Sequence, residues 1–162
     1  MNQPALSSDE FENLVATNQQ RIQRIARSYA PPGEFDDLVQ EILLQLWRAR
    51  GSFRGDAKVD TWLYRVALNT AMSFRRKKRD PIAQGTGKET IDAIGNPVDP
   101  ADLLQRFLHT LGEADRSTML LFLEGLPAER IAQVLGTTKG AVAVRVSRLK
   151  QRFEDEFVEE TA

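Results

Sequence analysis

Apolar residues recur every three or four positions along most of the chain, and no useful stretch alternates apolar with polar. Phe11, Leu14, Val15, Ile22, Ile25, Ala26 and Tyr29 share one helical face. Ser7 or Ser8 suits the N-cap of that helix, Asp9 and Glu10 its first turn, and Pro31-Pro32-Gly33 its end. A second stripe is Phe35, Leu38, Val39, Ile42, Leu43, Leu46 and Trp47, with Gly51 and Gly55 in the loop that follows. A third is Val59, Trp62, Leu63, Val66, Ala67, Thr70, Ala71 and Phe74, running into a basic stretch over 75–79 and ending before Pro81. Residues 81–99 lose the period and hold two of the seven prolines and three of the ten glycines, which predicts a flexible linker. Shorter stripes follow at Leu103, Leu104, Phe107, Leu108 and Leu111, and at Met119, Leu120, Phe122 and Leu123. Two more helices, turning at Gly136, fill residues 127–153. The pattern predicts an all-α fold. Two small helical domains, 1–80 and 100–162, are joined by the linker 81–99, and the C-terminal one contains a helix-turn-helix.

Composition narrows the chemistry. The 162 residues contain no cysteine and one histidine, which excludes disulfides, thiolate metal sites and a cysteine nucleophile. A chain without disulfides suits the cytoplasm. Its longest wholly apolar run, Met119–Leu123, is far short of the roughly 18 residues that span a bilayer, and no secretory signal is visible at the start. Neither membrane insertion nor a cofactor or small-molecule substrate is expected. The net charge is −1, yet residues 126–152 carry six basic residues and one acidic, and residues 1–80 carry 13 basic against 10 acidic. Two basic patches on a near-neutral chain point toward nucleic acid.

Three segments carry candidate chemistry. In the last helix Val142, Val146, Leu149, Phe153 and Phe157 fall on one face. The opposite face shows Val144, Ser147, Arg148 and Gln151, with Arg145 and Arg152 on a flank and Lys139 at the start. This is the helix-turn-helix pattern, whose second helix enters the major groove; a helical hairpin with a solvated basic face is the alternative. In the third helix Lys58, Trp62, Arg65, Asn69, Ser73 and Arg76 share one edge beside the apolar stripe. An aromatic among cations suits single-stranded nucleic acid. The alternatives are a core tryptophan and a solvated helix end. In the second helix Leu44 lies off the main stripe, bordered by Asp37, Gln40, Glu41 and Gln45, which suits a partner protein as well as it suits a buried core helix. No catalytic constellation is visible. The patterns alone leave open an ordinary helix-turn-helix regulator, which would bind an operator by itself as a dimer.

Three strings then resemble a known family: DDLVQEILLQLWRA, GSFRGDAKVDTWLYRVALNTAMSFRRKKR and LPAERIAQVLGTTKGAVAVRVSRLKQRF. Over about residues 8–157 the chain is similar to the extracytoplasmic-function group of bacterial sigma-70-type sigma factors. The resemblance implies a sigma factor that binds RNA polymerase core and directs promoter recognition and melting. It implies docking on the beta-prime clamp helices, with the beta subunit as a further contact, through Asp37, Gln40, Glu41, Leu44 and Arg48. It implies that Phe53 and Asn69 hold a flipped base of the minus-ten element, with Lys58, Trp62, Arg65 and Arg76 along the melted strand. It implies that Lys139, Val144, Arg145, Ser147, Arg148 and Gln151 face the minus-35 element. The family often has a basic or hydroxyl side chain where this chain has Ala143 and Val144, which shifts weight to phosphate contacts and DNA shape. An anti-sigma protein is a further implied partner.

Overall fold

The structure, a computed structural model, describes residues 6–53, 58–78 and 99–158. The expectations for Gly55, for the end of the basic run at Arg79 and for linker residues 81–98 lie outside the described residues. Among the described residues the regular elements are all helical. Helix α1 spans Ser8–Tyr29, α2 Phe35–Ala49, α3 Val59–Lys78, α4 Pro100–Thr110, α5 Glu113–Leu123, α6 Ala128–Leu135 and α7 Lys139–Phe153. A 3-10 turn at Arg50–Ser52 follows α2, and Glu154–Val158 extends α7 with wider π-type turns.

Local chemistry sets the helix ends. Ser7 and Glu10 form a reciprocal capping box, the Glu10 N–H donating to Ser7 Oγ (3.2 Å) and the Ser7 N–H to Glu10 Oε2 (3.1 Å). Ala30 is extended, as a residue before proline tends to be, so α1 stops. Asp99, the last residue of the expected linker, caps α4 by accepting from the Ala101 N–H at 3.1 Å, with Pro100 in the first turn.

Helices α1, α2 and α3 pack around Ile22, Ile25, Leu38, Ile42, Leu46, Leu63 and Ala67, all from the expected stripes. Tyr64 and Leu68 are buried as well, although they lie outside the α3 stripe. The cause is a second contact: α3 packs against α6 as well as against α1 and α2. Leu120, Leu121, Ile131, Val134, Val142 and Val146 therefore join the core of the first three helices. A smaller cluster of Phe107, Leu108, Leu111, Met119 and Leu149 holds α4, α5 and α7 together, with Phe153 and Phe157 stacked on each other and edge-on to Phe107.

The two halves meet at Arg116 of α5, which is 2% exposed. Its guanidinium donates to the carbonyls of Leu108 (2.8 Å), His109 (2.9 Å) and Leu111 (2.9 Å) at the end of α4, and of Ser28 (3.2 Å) near the end of α1. It also lies 5.1 Å from the centre of the Tyr29 ring. One cation thus bonds carbonyls at the C-terminal ends of two helices, where intrahelical donors run out. Replacing Arg116 by leucine removes the side-chain donor from all four acceptors, and only the Leu108 carbonyl then keeps a helix-end partner, the Leu111 N–H at 3.2 Å. The expected loss is at least about 3 kcal/mol in urea unfolding. Arg116→Lys should recover only part of it, because an ammonium lacks the planar fork.

Candidate polymerase and nucleic-acid interfaces

The expected docking residues form one exposed stripe on α2. Asp37, Gln40 and Arg48 are exposed, Leu44 is 41% exposed, and Glu41 is half-buried. Leu38, Ile42 and Leu46 on the other side are fully buried, so the helix is amphipathic and its outer face carries an apolar residue among polar ones. Beside the stripe Trp47 is half-exposed, with Phe11 edge-on at 5.1 Å and the Arg50 guanidinium 3.5 Å from its ring centre.

Between α2 and α3 runs an open groove of about 580 Å³, lined by Glu41, Gln45, Asn69, Ser73 and Lys77 over a floor that includes Val66 and Phe74. That is within the size of small-ligand sites, roughly 300–1,000 Å³. Asn69 is exposed and turned to it. Glu41 accepts from Gln45 Nε2 at 2.9 Å, so the groove and the docking stripe share an edge. Phe53 does not line this groove; its ring packs edge-on to Trp62 with centroids 5.7 Å apart. Trp62 is 9% exposed and belongs to the core, a wall and not a stacking platform in this conformation. Arg65 and Arg76 are exposed on the same helix, and Lys58, expected on it, is exposed just before its first residue, Val59. The structure thus brings Asn69 and Ser73 to one groove and leaves Phe53 and Trp62 paired elsewhere.

The helix-turn-helix forms as the spacing predicts. Helix α6 ends at Gly136, whose φ of +70° is left-handed, and Thr138 caps α7 by accepting from the Ala141 N–H at 3.1 Å. Val142, Val146 and Leu149 are buried, while Lys139, Val144, Ser147, Arg148 and Gln151 are exposed. Val144 is 71% exposed. Asp115 of α5 was not foreseen: its Oδ1 holds Arg148 Nη2 at 3.0 Å and Arg145 Nε at 3.3 Å. Burial pushes the Tyr64 hydroxyl up to about 12, so it is a neutral core group facing the Arg21 guanidinium at 5.6 Å. Among the described residues no helix is long and apolar enough to cross a membrane.

Comparison with known proteins agrees with this layout. Residues 14–80 match the family model for sigma-70 region 2, and residues 101–153 that for sigma-70 region 4. The ECF RNA polymerase sigma-E factor of Escherichia coli K12 is 30% identical over 162 aligned residues, covering 90% of this chain and 85% of that protein. Two solved structures share the fold. CnrH, in complex with the cytosolic domain of CnrY, gives a TM-score of 0.68 at 24% identity, covering 92% of this chain and 88% of its own. The sigma factor RpoE of Bartonella quintana, in complex with the anti-sigma factor NepR, gives 0.71 at 22% identity, covering 90% and 95%.

The turn before α7 makes its own prediction. A Cβ at Gly136 would meet no atom within 4 Å, so only the left-handed backbone opposes substitution. Gly136→Ala should lower stability by about 1–2 kcal/mol, read by thermal or urea unfolding, and Gly136→Asn by less.

Proposed function

The chain belongs to the extracytoplasmic-function (ECF) group of the sigma-70 family of RNA polymerase sigma factors, and we propose how its surfaces divide the work of starting transcription. Residues 1–80 form the domain that binds polymerase core and the minus-ten element, and residues 100–162 the domain that reads the minus-35 element, with 81–99 between them. The α2 stripe of Asp37, Gln40, Glu41, Leu44 and Arg48 docks on the beta-prime clamp helices. The exposed apolar Leu44, ringed by these polar groups, is the observation that carries the reading. Such a centre with a polar rim is the anatomy of a protein interface. The chain works by binding, not as an enzyme, and it works in the cytoplasm with the polymerase.

On the DNA side, Lys58, Arg65 and Arg76 contact the melted minus-ten strand, and Asn69 reads a base admitted to the α2–α3 groove. An amide both donates and accepts, so it can discriminate among base edges. Phe53 and Trp62 would have to part for Phe53 to enclose that base. The exposed face of α7, with Lys139, Val144, Arg145, Ser147, Arg148 and Gln151, enters the major groove at minus-35. The Bartonella relative was solved with an anti-sigma factor, and a protein of that kind is proposed as the inhibitory partner here.

Reconstitution with polymerase core and run-off transcription from the promoter of the protein's own operon tests the reading. Core should start transcription there only when the chain is added. The double substitution Asp37→Lys with Glu41→Lys reverses the charge of the docking stripe without touching the core. It should abolish core association while the circular dichroism spectrum stays helical; wild-type affinity would remove the docking assignment.

The groove gives a second test. Asn69→Ala should leave core binding intact and flatten the ranking of the four bases at one minus-ten position. The defect should be smaller on a pre-melted bubble template, because extruding a base costs a few kcal/mol only from intact duplex. An unchanged ranking would make Asn69 an ordinary solvated helix residue.

A further inference from the structure

A carboxylate from another helix stands among the basic residues of α7. Asp115, in the first turn of α5, accepts from Arg148 Nη2 at 3.0 Å, and Arg145 Nε lies 3.3 Å from the same oxygen, Oδ1. Arg145 Nη1 also donates to Thr118 Oγ1 at 3.4 Å. Thr118 is fully buried, and its hydroxyl donates in turn to the Ala114 carbonyl at 2.7 Å. Helices α5 and α7 pack on each other, with Met119 and Leu149 in one buried cluster. The network therefore runs from the core outward. Side-chain exposure rises along it from 26% at Asp115 through 33% at Arg145 to 63% at Arg148.

The two arginines are used unequally. Arg145 turns two of its three nitrogens toward α5, and Arg148 turns one. A guanidinium carries five N–H donors in a planar fork, so Arg148 keeps an edge with two donors open. That edge suits a base that presents two acceptors in the major groove. The carboxylate also changes what the edge prefers. An arginine beside a carboxylate offers a phosphate less positive potential, whereas a neutral base edge asks for aimed donors. Holding one nitrogen beforehand removes part of the rotamer freedom that a long side chain loses on binding.

We propose that Asp115 is a positioning residue for promoter readout: by holding Arg148 it steers that guanidinium away from the phosphates and toward one base pair, so that discrimination at that pair depends on a side chain of α5. The inference rests on the reading of α7 as the minus-35 helix. It adds a residue outside the helix-turn-helix, and it divides labour between the two arginines that Asp115 holds. Arg145 braces the carboxylate, and Arg148 reads.

The test uses the full chain assembled with polymerase core. The probes are duplex fragments of the promoter of the protein's own operon, carrying each of the four bases at every minus-35 position. Affinities are measured by competition over a salt series. Arg148→Ala should flatten the ranking of bases at one position and so identify it. Asp115→Ala should flatten the ranking at that same position by about threefold, within what a partly exposed ion pair supplies, and leave the other positions as they were. The affinity averaged over the four bases should not fall, and its salt dependence should steepen, because the released guanidinium can take a phosphate. Adding Asp115→Ala to Arg148→Ala should change the ranking no further. Asp115→Asn keeps an oxygen for Nη2 and should retain more of the ranking than Asp115→Ala does. Should the alanine variant fold poorly, the asparagine variant must still flatten that position in part. An unchanged ranking in the folded variants overturns the proposal. So does uniform weakening across all sequences, which a merely structural tie between α5 and α7 would give, or an equal loss of ranking with Arg148 already removed. If Arg148→Ala itself flattens no position, the reading of Arg148 as a base contact falls too; if it flattens one that Asp115→Ala leaves intact, only the role of Asp115 falls.

Discussion

A single guanidinium sets how the halves of this protein meet. Arg116 lies where the C-terminal ends of α1 and α4 converge, and its donors are spent on main-chain oxygens from both. Charge taken out of water is tolerable only when hydrogen bonds replace hydration, and here four carbonyls do so. The carbonyls gain as well, since intrahelical donors run out at helix ends. Helix α5 is thereby pinned with one side on α1. Helix α6 follows α5 in the chain, and it is the element of the second half that packs against α3. Ser117 and Thr118 next to Arg116 are buried too, with their hydroxyls bonded to the Ala114 carbonyl, so this polar segment is interior by construction.

Around this centre the charges are arranged in partnered sets, so that several arginines, including ones proposed to face DNA, sit beside carboxylates in a chain of net charge −1. Asp115 holds Arg145 and Arg148, Glu113 holds Arg76, Glu124 holds Arg24, and Glu156 holds Arg152. Most of these pairs are exposed, and exposed pairs add little to stability, about 0–1 kcal/mol each. Their effect is on binding. On the proposed reading each carboxylate competes with phosphate for its arginine, so DNA contact would be in part an exchange and not a simple gain. Weak binding by each half alone follows, and strength comes from holding both halves at the spacing of two DNA elements, where the second contact is intramolecular.

Much of this was legible in the chain itself. Period and caps located the helices of the described residues, the first cap to Ser7 or Ser8, the turn at Gly136 and the split between buried Val142, Val146 and Leu149 and exposed Ser147 and Arg148. What stayed hidden has one physical cause. A periodic stripe reports one buried face per helix, and α3 has more than one. Tyr64 and Leu68 are buried because the second half packs there, and Trp62 is interior although it shares an edge with Arg65 and Asn69. Arg116 reads as a surface arginine in EADRSTMLLFL, since nothing local says that two helix ends will point at it. Asp115 likewise becomes informative only once α5 and α7 are side by side. The groove at Asn69 was half legible: its residue was singled out, but one wall, Glu41, Gln45 and Ala49, comes from α2.

The exposed face of α7 carries a last consequence for recognition. Its most exposed large apolar side chain, Val144, stands where a hydrogen-bonding residue would read a base edge, and Ala143 beside it offers no donor either. Apolar side chains in a major groove can sense a thymine methyl group but cannot distinguish donors from acceptors. The hydrogen-bonding capacity of this face lies instead at Ser147, Arg148 and Gln151, one to two turns further along, and at Lys139 at the start. Arg148 is held by Asp115, which fixes where its fork points before DNA arrives. On the proposed reading of α7 as the minus-35 helix, readout would be divided along its length, with methyl and shape sensing near Val144 and hydrogen bonding toward the C-terminal half. A binding site read this way is expected to tolerate changes of hydrogen-bond pattern opposite Val144 and to resist them opposite Arg148.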